Sequence, residues 1–413
     1  MMATPGGPSR WRVYLAVGVL LLITVTAVAG LTGLWALAAF PVGLLFGFFL
    51  QKGDLCGSSA FSEVLVMRDG RKLLGLWVLI VVAMAGFAVL DLLHVVKLSP
   101  KPFLYLSYLT GGVIFGVGMV LAGGCISGCM YKAATGNFNS IMGLIGISTG
   151  VMIVEYGPLK GLNDRLAEKV LKTGAGGVVS LPNVSGMPFW ALAALFGVLT
   201  IVAVPLFRRR RKTSAFIASS TPPWLEGVMT RPWKPWVAGV AIGLLMIPAY
   251  LSSAATGRNY PLGVTHGVMQ AQLLLIENDL SHVYGTPISN PGTTPASPPG
   301  TSTPKPSGKK IVWWLVLLVI GTMAGSWASA RMSGQAKLLP KPPDEMLVAL
   351  FGGVLVGVGA GFATGCVVGN IMSGWALMSV GMFEFGIMTI LANWAATYFY
   401  LMGGKLWNSG GAS

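Results

Sequence analysis

Apolar runs recur along this chain at about residues 11–31, 34–50, 73–96, 104–123, 139–156, 187–207, 236–251, 311–328, 346–364 and 376–402. An α-helix needs about 20 apolar residues to cross the hydrocarbon core of a bilayer. Several runs reach that length, and the shorter ones predict broken or re-entrant helices. The runs are too long and too unalternating for barrel strands, so each must satisfy its backbone internally as helix. The fold class expected is an all-α polytopic integral membrane protein. Only 10% of the 413 residues are charged and the mean hydropathy is +0.72, whereas soluble domains carry about 25% charge. The first run follows Arg10 and Arg12 as a signal peptide would, but a second run begins almost at once and no small-x-small cleavage site ends the first. It is read as a retained membrane segment.

The net charge of +15 would suggest nucleic acid as partner for a soluble protein. Here the densest basic stretches, Arg208 to Lys212 and the cluster of Arg68, Arg71 and Lys72, lie just beyond apolar runs. That is where the positive-inside rule puts cytoplasmic anchors. No nucleic-acid partner is expected, and the lipid bilayer is the partner instead. The four cysteines have no clustered spacing and fall in or beside apolar runs, which predicts free thiols rather than a disulfide framework.

Two stretches break the apolar pattern. Residues 157–186 carry Leu162, Leu166 and Val170 among charges, which predicts a short amphipathic surface helix. Residues 286–310 are rich in Pro, Ser, Thr and Gly and predict a linker without a core. The layout expected is an N-terminal extension with an extra hydrophobic segment (1–33), a first transport repeat (34–207), a basic cytoplasmic linker (208–233), a second repeat (234–402) holding the 286–310 loop, and a tail (403–413).

The repeats are visible directly. GGVIFGVGMVLAGGCISGC at 111–129 aligns without a gap to GGVLVGVGAGFATGCVVGN at 352–370, with ten identities that include Cys125 and Cys366. The shared core is Gly, three residues, Gly, eight residues, thiol. It recurs at Gly43, Gly47 and Cys56, and in a fourth copy, Gly239, Gly243 and Ser252, a hydroxyl replaces the thiol. Close helix packing in lipid accounts for the glycines. It does not account for a small polar group at a fixed distance, followed each time by small, weakly helical residues. Irregular backbone at membrane depth is tolerated only when buried in protein or lining a cavity. The expectation is two pseudo-symmetric halves whose glycine-rich broken helices meet at a narrow central pathway.

A thiol is a weak donor and a polarizable, weak acceptor. A row of thiols therefore suits a soft, charge-diffuse solute that must be bound without being gripped. Cys56, Cys125 and Cys366 are the candidate pathway residues, with Ser252 as their fourth counterpart. Cys129, whose repeat partner is Asn370, is left as lining or packing. An anion needs positive potential, and Lys132 after the Cys125 break and Arg258 after the Ser252 break are the candidates. Snorkelling to the headgroups is the competing use for both. Asp54, Asp91, Glu155 and Glu384 are candidate proton relays or partners of the basic residues. A metal path is the competing chemistry for thiols, but the chain has three histidines and no Cys-x-x-Cys, so no metal or other cofactor is expected.

Together, QKGDLCGSSAF at 51–61, VLAGGCISG at 120–128, LSSAATGRNYPLGVT at 251–265 and GFATGCVVGN at 361–370 closely resemble the YeeE/YedE family of bacterial sulfur-compound transporters, over about residues 34–402. The resemblance implies no enzyme but a transporter of the bacterial inner membrane. It implies uptake of thiosulfate or a related sulfur anion through an hourglass-shaped helical protein, with Cys56, Cys125 and Cys366 relaying the anion by S–H hydrogen bonds. A small cytoplasmic sulfur-carrier protein is the partner it implies. The extra N-terminal run, the 286–310 linker and Cys129 depart from the pattern. The alternative is a membrane component that delivers sulfur or selenium to a carrier protein by thiol exchange, which requires reactive thiolates.

Overall fold

The computed structural model describes residues 11–171, 177–209, 224–277, 280–284, 309–338, 340–400 and 402–403. Most of the expected 286–310 linker, residues 210–212 of the basic run and nearly all of the 403–413 tail lie outside these.

The chain begins with α1 (Trp11–Thr32), α2 (Ala39–Gly53), α3 (Gly57–Val66), α4 (Arg71–Leu92), α5 (Tyr105–Leu121), α6 (Ile126–Ala134) and α7 (Phe138–Glu155). Short helices α8 (Lys160–Ala167) and α9 (Leu181–Ser185) lead to α10 (Phe189–Arg209) and α11 (Trp224–Thr230). The remainder comprises α12 (Pro235–Ala255), α13 (Thr265–Ile276), α14 (Trp313–Met332), α15 (Pro343–Phe362), a π-helical turn (Val367–Ser373), α16 (Gly374–Ala376) and α17 (Val380–Tyr400). Nine segments among the described residues are long and apolar enough to span a membrane, and Phe189–Ala203 is a shorter apolar helix. The protein is therefore an all-α polytopic membrane protein.

One element departs from the sequence reading. Residues 309–312, expected to close the linker and open an apolar helix, form strand β2 (Lys309–Val312), which pairs in parallel with β1 (Leu280–Val283). Each strand is only four residues long, and neither LSHV nor KKIV shows the apolar–polar alternation that marks a strand in a sequence. The amphipathic helix expected in 157–186 is α8, all of whose side chains are at least partly exposed.

The repeated glycines let helix backbones touch. Gly43 and Gly47 of α2 lie against Leu318 and Thr322 of α14, while Gly239 and Gly243 of α12 lie against Gly75 and Leu79 of α4. Likewise Gly112 and Gly116 of α5 face Phe385 and Thr389 of α17, and Gly353 and Gly357 of α15 face Gly143 and Ile147 of α7. At seven of these eight positions a Cβ would collide with the backbone or side chain of the facing helix, and at Gly112 it would be held tight at 3.0 Å. Helices α5 and α15 cross antiparallel, with Gly111 beside Gly359 and Gly118 beside Gly352. In lipid there is no hydrophobic drive between helices, so this close approach and the dispersion contact it allows hold the bundle together.

Candidate functional site

Each of the three repeat cysteines is presented by the same local turn. A glycine-rich helix ends, the residue two before the cysteine takes a left-handed conformation, and the cysteine becomes the extended N-cap of the next short element. The left-handed residues are Asp54 (φ 46°), Gly123 (φ 68°) and Thr364 (φ 52°). Cys56 caps α3, Cys125 caps α6 and Cys366 caps the π-helical turn, and none of the three side chains makes a capping hydrogen bond. The thiols are thus free for other partners at ends where backbone N–H groups lack intrahelical acceptors. Non-glycine residues in left-handed backbone store strain that surroundings must support. Asp54 has that support: its carboxylate accepts from Tyr131 Oη at 2.5 Å and from Lys72 Nζ at 2.5 Å. Thr364 has it too, since its carbonyl and hydroxyl accept from Lys101 Nζ at 2.6 and 3.2 Å.

Cys56 and Cys125 meet, with their sulfurs 3.8 Å apart. The Cys125 sulfur is also 3.4 Å from Ser127 Oγ. All four cysteines are buried and free. Gly128 faces the pair so closely that a Cβ there would overlap the Cys56 sulfur. Lys132, one turn further along α6, is partly exposed and donates to the Gly123 carbonyl at 2.8 Å. Cys129 faces away, its sulfur turned back to the carbonyls of Gly124 and Ala122 at 3.7 and 4.0 Å. At this end of the bundle Lys72 joins Asp54 to Glu63 (2.6 Å). A cavity of about 210 Å³ opens there between Lys52, Asp54, Glu63, Lys72 and Trp233.

Cys366 lies with a different set of groups. Lys101, from the segment between α4 and α5, adds a third bond to Asn370 Oδ1 at 3.1 Å and lies 5.1 Å from the centre of the Tyr260 ring. Arg258 stacks over Trp314 (4.9 Å) and Tyr260 (5.7 Å) and donates to Ser253 Oγ and the Tyr260 carbonyl. Neither cation pairs with a carboxylate among the described residues. Burial, reinforced by the neighbouring Arg258 charge, lowers Lys101 to a pKa of about 7, and burial lowers Arg258 to about 10. Arg258, together with Lys101 where it is protonated, has no carboxylate partner among the described residues and forms a region of positive potential that an anion relieves. The two cysteine regions adjoin, because Gly57 beside Cys56 packs against Val367 beside Cys366.

Ser252 is held differently from its thiol counterparts. It lies within α12, donating to the Ala249 carbonyl at 3.0 Å and accepting from Trp314 Nε1 at 3.3 Å. The break in this copy comes later, around Gly257 (φ 80°) and Asn259 (φ 45°), and places Arg258 rather than a hydroxyl beside Tyr260. Lys101 was missed in the sequence because a lysine between two apolar runs is indistinguishable from a headgroup anchor. Its flanking Pro100 and Pro102 are the only local sign of a fixed segment. Of the acidic candidates, Asp54 is paired as above and Glu155 meets His266 at 2.7 Å. Glu384 has a buried carboxylate oxygen without a hydrogen-bond partner among the described residues.

Helices of membrane length with buried free thiols at their breaks, and two cations beside one thiol that make no carboxylate pair among the described residues, define a polytopic membrane protein with a polar interior. The chain belongs to the sulphur transport family, whose model matches residues 52–395. It is 27% identical to the thiosulfate transporter TsuA of Escherichia coli (strain K12) over 366 residues, covering 88% of this chain and 94% of that protein. It is 26% identical to the thiosulfate transporter TsuA of Spirochaeta thermophila over 375 residues, covering 86% and 96%. A probable transporter YedE of Escherichia coli (strain K12) is 29% identical over 121 residues, 29% of each chain. The chain is thus a multi-pass membrane transporter for a sulfur anion.

Proposed function

We propose that this protein takes up thiosulfate across the bacterial inner membrane through a path lined by Cys366, Cys125 and Cys56, which hand the anion along by S–H hydrogen bonds. The observation that carries this reading is the common turn that delivers three buried thiols, none in a disulfide, from three copies of one motif. Basic residues Arg71, Lys72 and Lys234 at one end of the bundle favour that end as cytoplasmic. Lys101 and Arg258 then face outside, where they attract the dianion to Cys366 before it meets the Cys125 and Cys56 thiols. A thiol donates weakly, so each site holds the anion loosely enough to pass it on. The halves, 34–207 and 234–402, are read as inverted repeats on the antiparallel crossing of α5 and α15, an arrangement that puts transporter sites where the repeats meet. Ser252 and Lys132 act here as supports of the path rather than as relay groups.

Purified protein in lipid vesicles should accumulate radiolabelled thiosulfate by counterflow, with unlabelled sulfate competing poorly. Equal competition by sulfate defeats the assignment of thiosulfate. Transfer of sulfur from the vesicle-embedded protein to a purified carrier protein, without counterflow, favours delivery by thiol exchange instead.

A further inference from the structure

The two thiols at the Lys72 end form a vicinal pair. Cys56 and Cys125 come from different helices, yet their sulfurs are 3.8 Å apart with no side chain between them. Gly128, the nearest backbone, has no Cβ to separate them. Contraction by about 1.8 Å gives the disulfide bond length, which rotation about the two Cα–Cβ bonds supplies more readily than movement of packed helices. Both sulfurs sit at helix N-termini, on α3 of ten residues and α6 of nine, and Lys132 lies on the same α6. Cys129 and Cys366 do not share the contact.

We propose that Cys56 and Cys125 are an oxidation site, closed to a disulfide by polythionates, the oxidised dimers of the sulfur oxyanion class this path accepts. The Cys56 thiolate attacks one of the two central sulfurs of tetrathionate. The central S–S bond breaks, one thiosulfate dianion leaves, and a Cys56–S–S–SO₃⁻ adduct forms. The Cys125 thiolate then attacks the Cys56 sulfur, displacing the second thiosulfate and forming the Cys56–Cys125 disulfide. Two thiols lose two electrons and two protons, and one tetrathionate gains the two electrons to become two thiosulfates. The bond removes both S–H donors from the relay, so the path closes until a thiol reductant reopens it. The closure rests on the transport reading, whereas the disulfide does not.

The test is to treat the purified full chain with tetrathionate, digest it without reductant and identify linked peptides by mass spectrometry, with thiosulfate release and vesicle uptake measured alongside. The expected result is a Cys56–Cys125 linked peptide, two thiosulfates released per protein, and loss of uptake that dithiothreitol restores. Cys129→Ala should keep the linked peptide, while Cys56→Ser and Cys125→Ser each lose it. A stable adduct on one cysteine, or a link through Cys129, overturns the proposal. A Cys56–Cys125 link that leaves uptake unchanged overturns the closure. Untreated protein that takes up no thiosulfate defeats the transport reading instead, and the peptide analysis still decides the disulfide.

Discussion

Gly128→Ala adds one methyl group at the point where the account is most sensitive. The new Cβ would lie 3.4 Å from Cys56 Cβ and 3.6 Å from Cys125 Sγ, and would overlap the Cys56 sulfur. Ordinary contact between heavy atoms is at about 3.5–4.0 Å, so the sulfur must swing aside or α6 must shift against α3. Such overpacking costs about 1–3 kcal/mol. If that cost falls on the site through which the anion passes, uptake drops between roughly fivefold and roughly 160-fold, at 1.36 kcal/mol for each factor of ten. The thiol pair should separate as well, so tetrathionate should yield less Cys56–Cys125 linked peptide. Gly161→Ala, at a position with open space around it, is the matched control and should transport normally. Initial uptake rates in vesicles, normalised to folded protein by thermal melting, measure the effect. A Gly128→Ala protein that is equally stable and transports at the unaltered rate would refute the placing of the path at this contact.

Lys101 sets a pH dependence on the outer face. Its lowered pKa of about 7 means that the charge is present below that value and lost as the pH rises through it, so the KM for thiosulfate should rise with external pH across neutrality. Lys101→Arg, charged throughout, should flatten the profile, and a wild-type KM independent of pH counts against Lys101 standing at the anion entrance. Alanine at Cys56, Cys125 or Cys366 should nearly abolish uptake while Cys129→Ala keeps most of it; a dead Cys129→Ala with an active Cys366→Ala contradicts the repeat. A reporter fused after Lys212 should be cytoplasmic, and alkaline-phosphatase activity from that fusion would reverse the orientation and with it the anion entrance.

The sequence foretold most of the helices because membrane spans are written in composition, and it foretold the cysteine breaks because the motif recurs with fixed spacing. The turn itself was not legible. Of the three left-handed residues, Gly123 is of a type that signals such backbone and Asp54 does so only weakly, while Thr364 reads as an ordinary polar residue until its partner Lys101 is known. That partner comes from a distant part of the chain, which periodicity does not connect. The same limit hid the Cys56–Cys125 pair: spacing aligned them as equivalents, but only the crossing of helices brings them together while Cys366 lies beside Lys101. Ser252 shows the converse, since identical spacing left its hydroxyl within a helix, bonded to Trp314.

The central claim is that thiols on the path recognise the anion, and its most direct test is protection of Cys125 from a membrane-permeant alkylating reagent in native membranes. Thiosulfate differs from sulfate in one larger, softer sulfur atom, while Lys101 and Arg258 act on both dianions alike. The account predicts that thiosulfate slows Cys125 modification and that equimolar sulfate leaves it nearly unchanged. Equal protection by the two anions, or protection by neither, would contradict it.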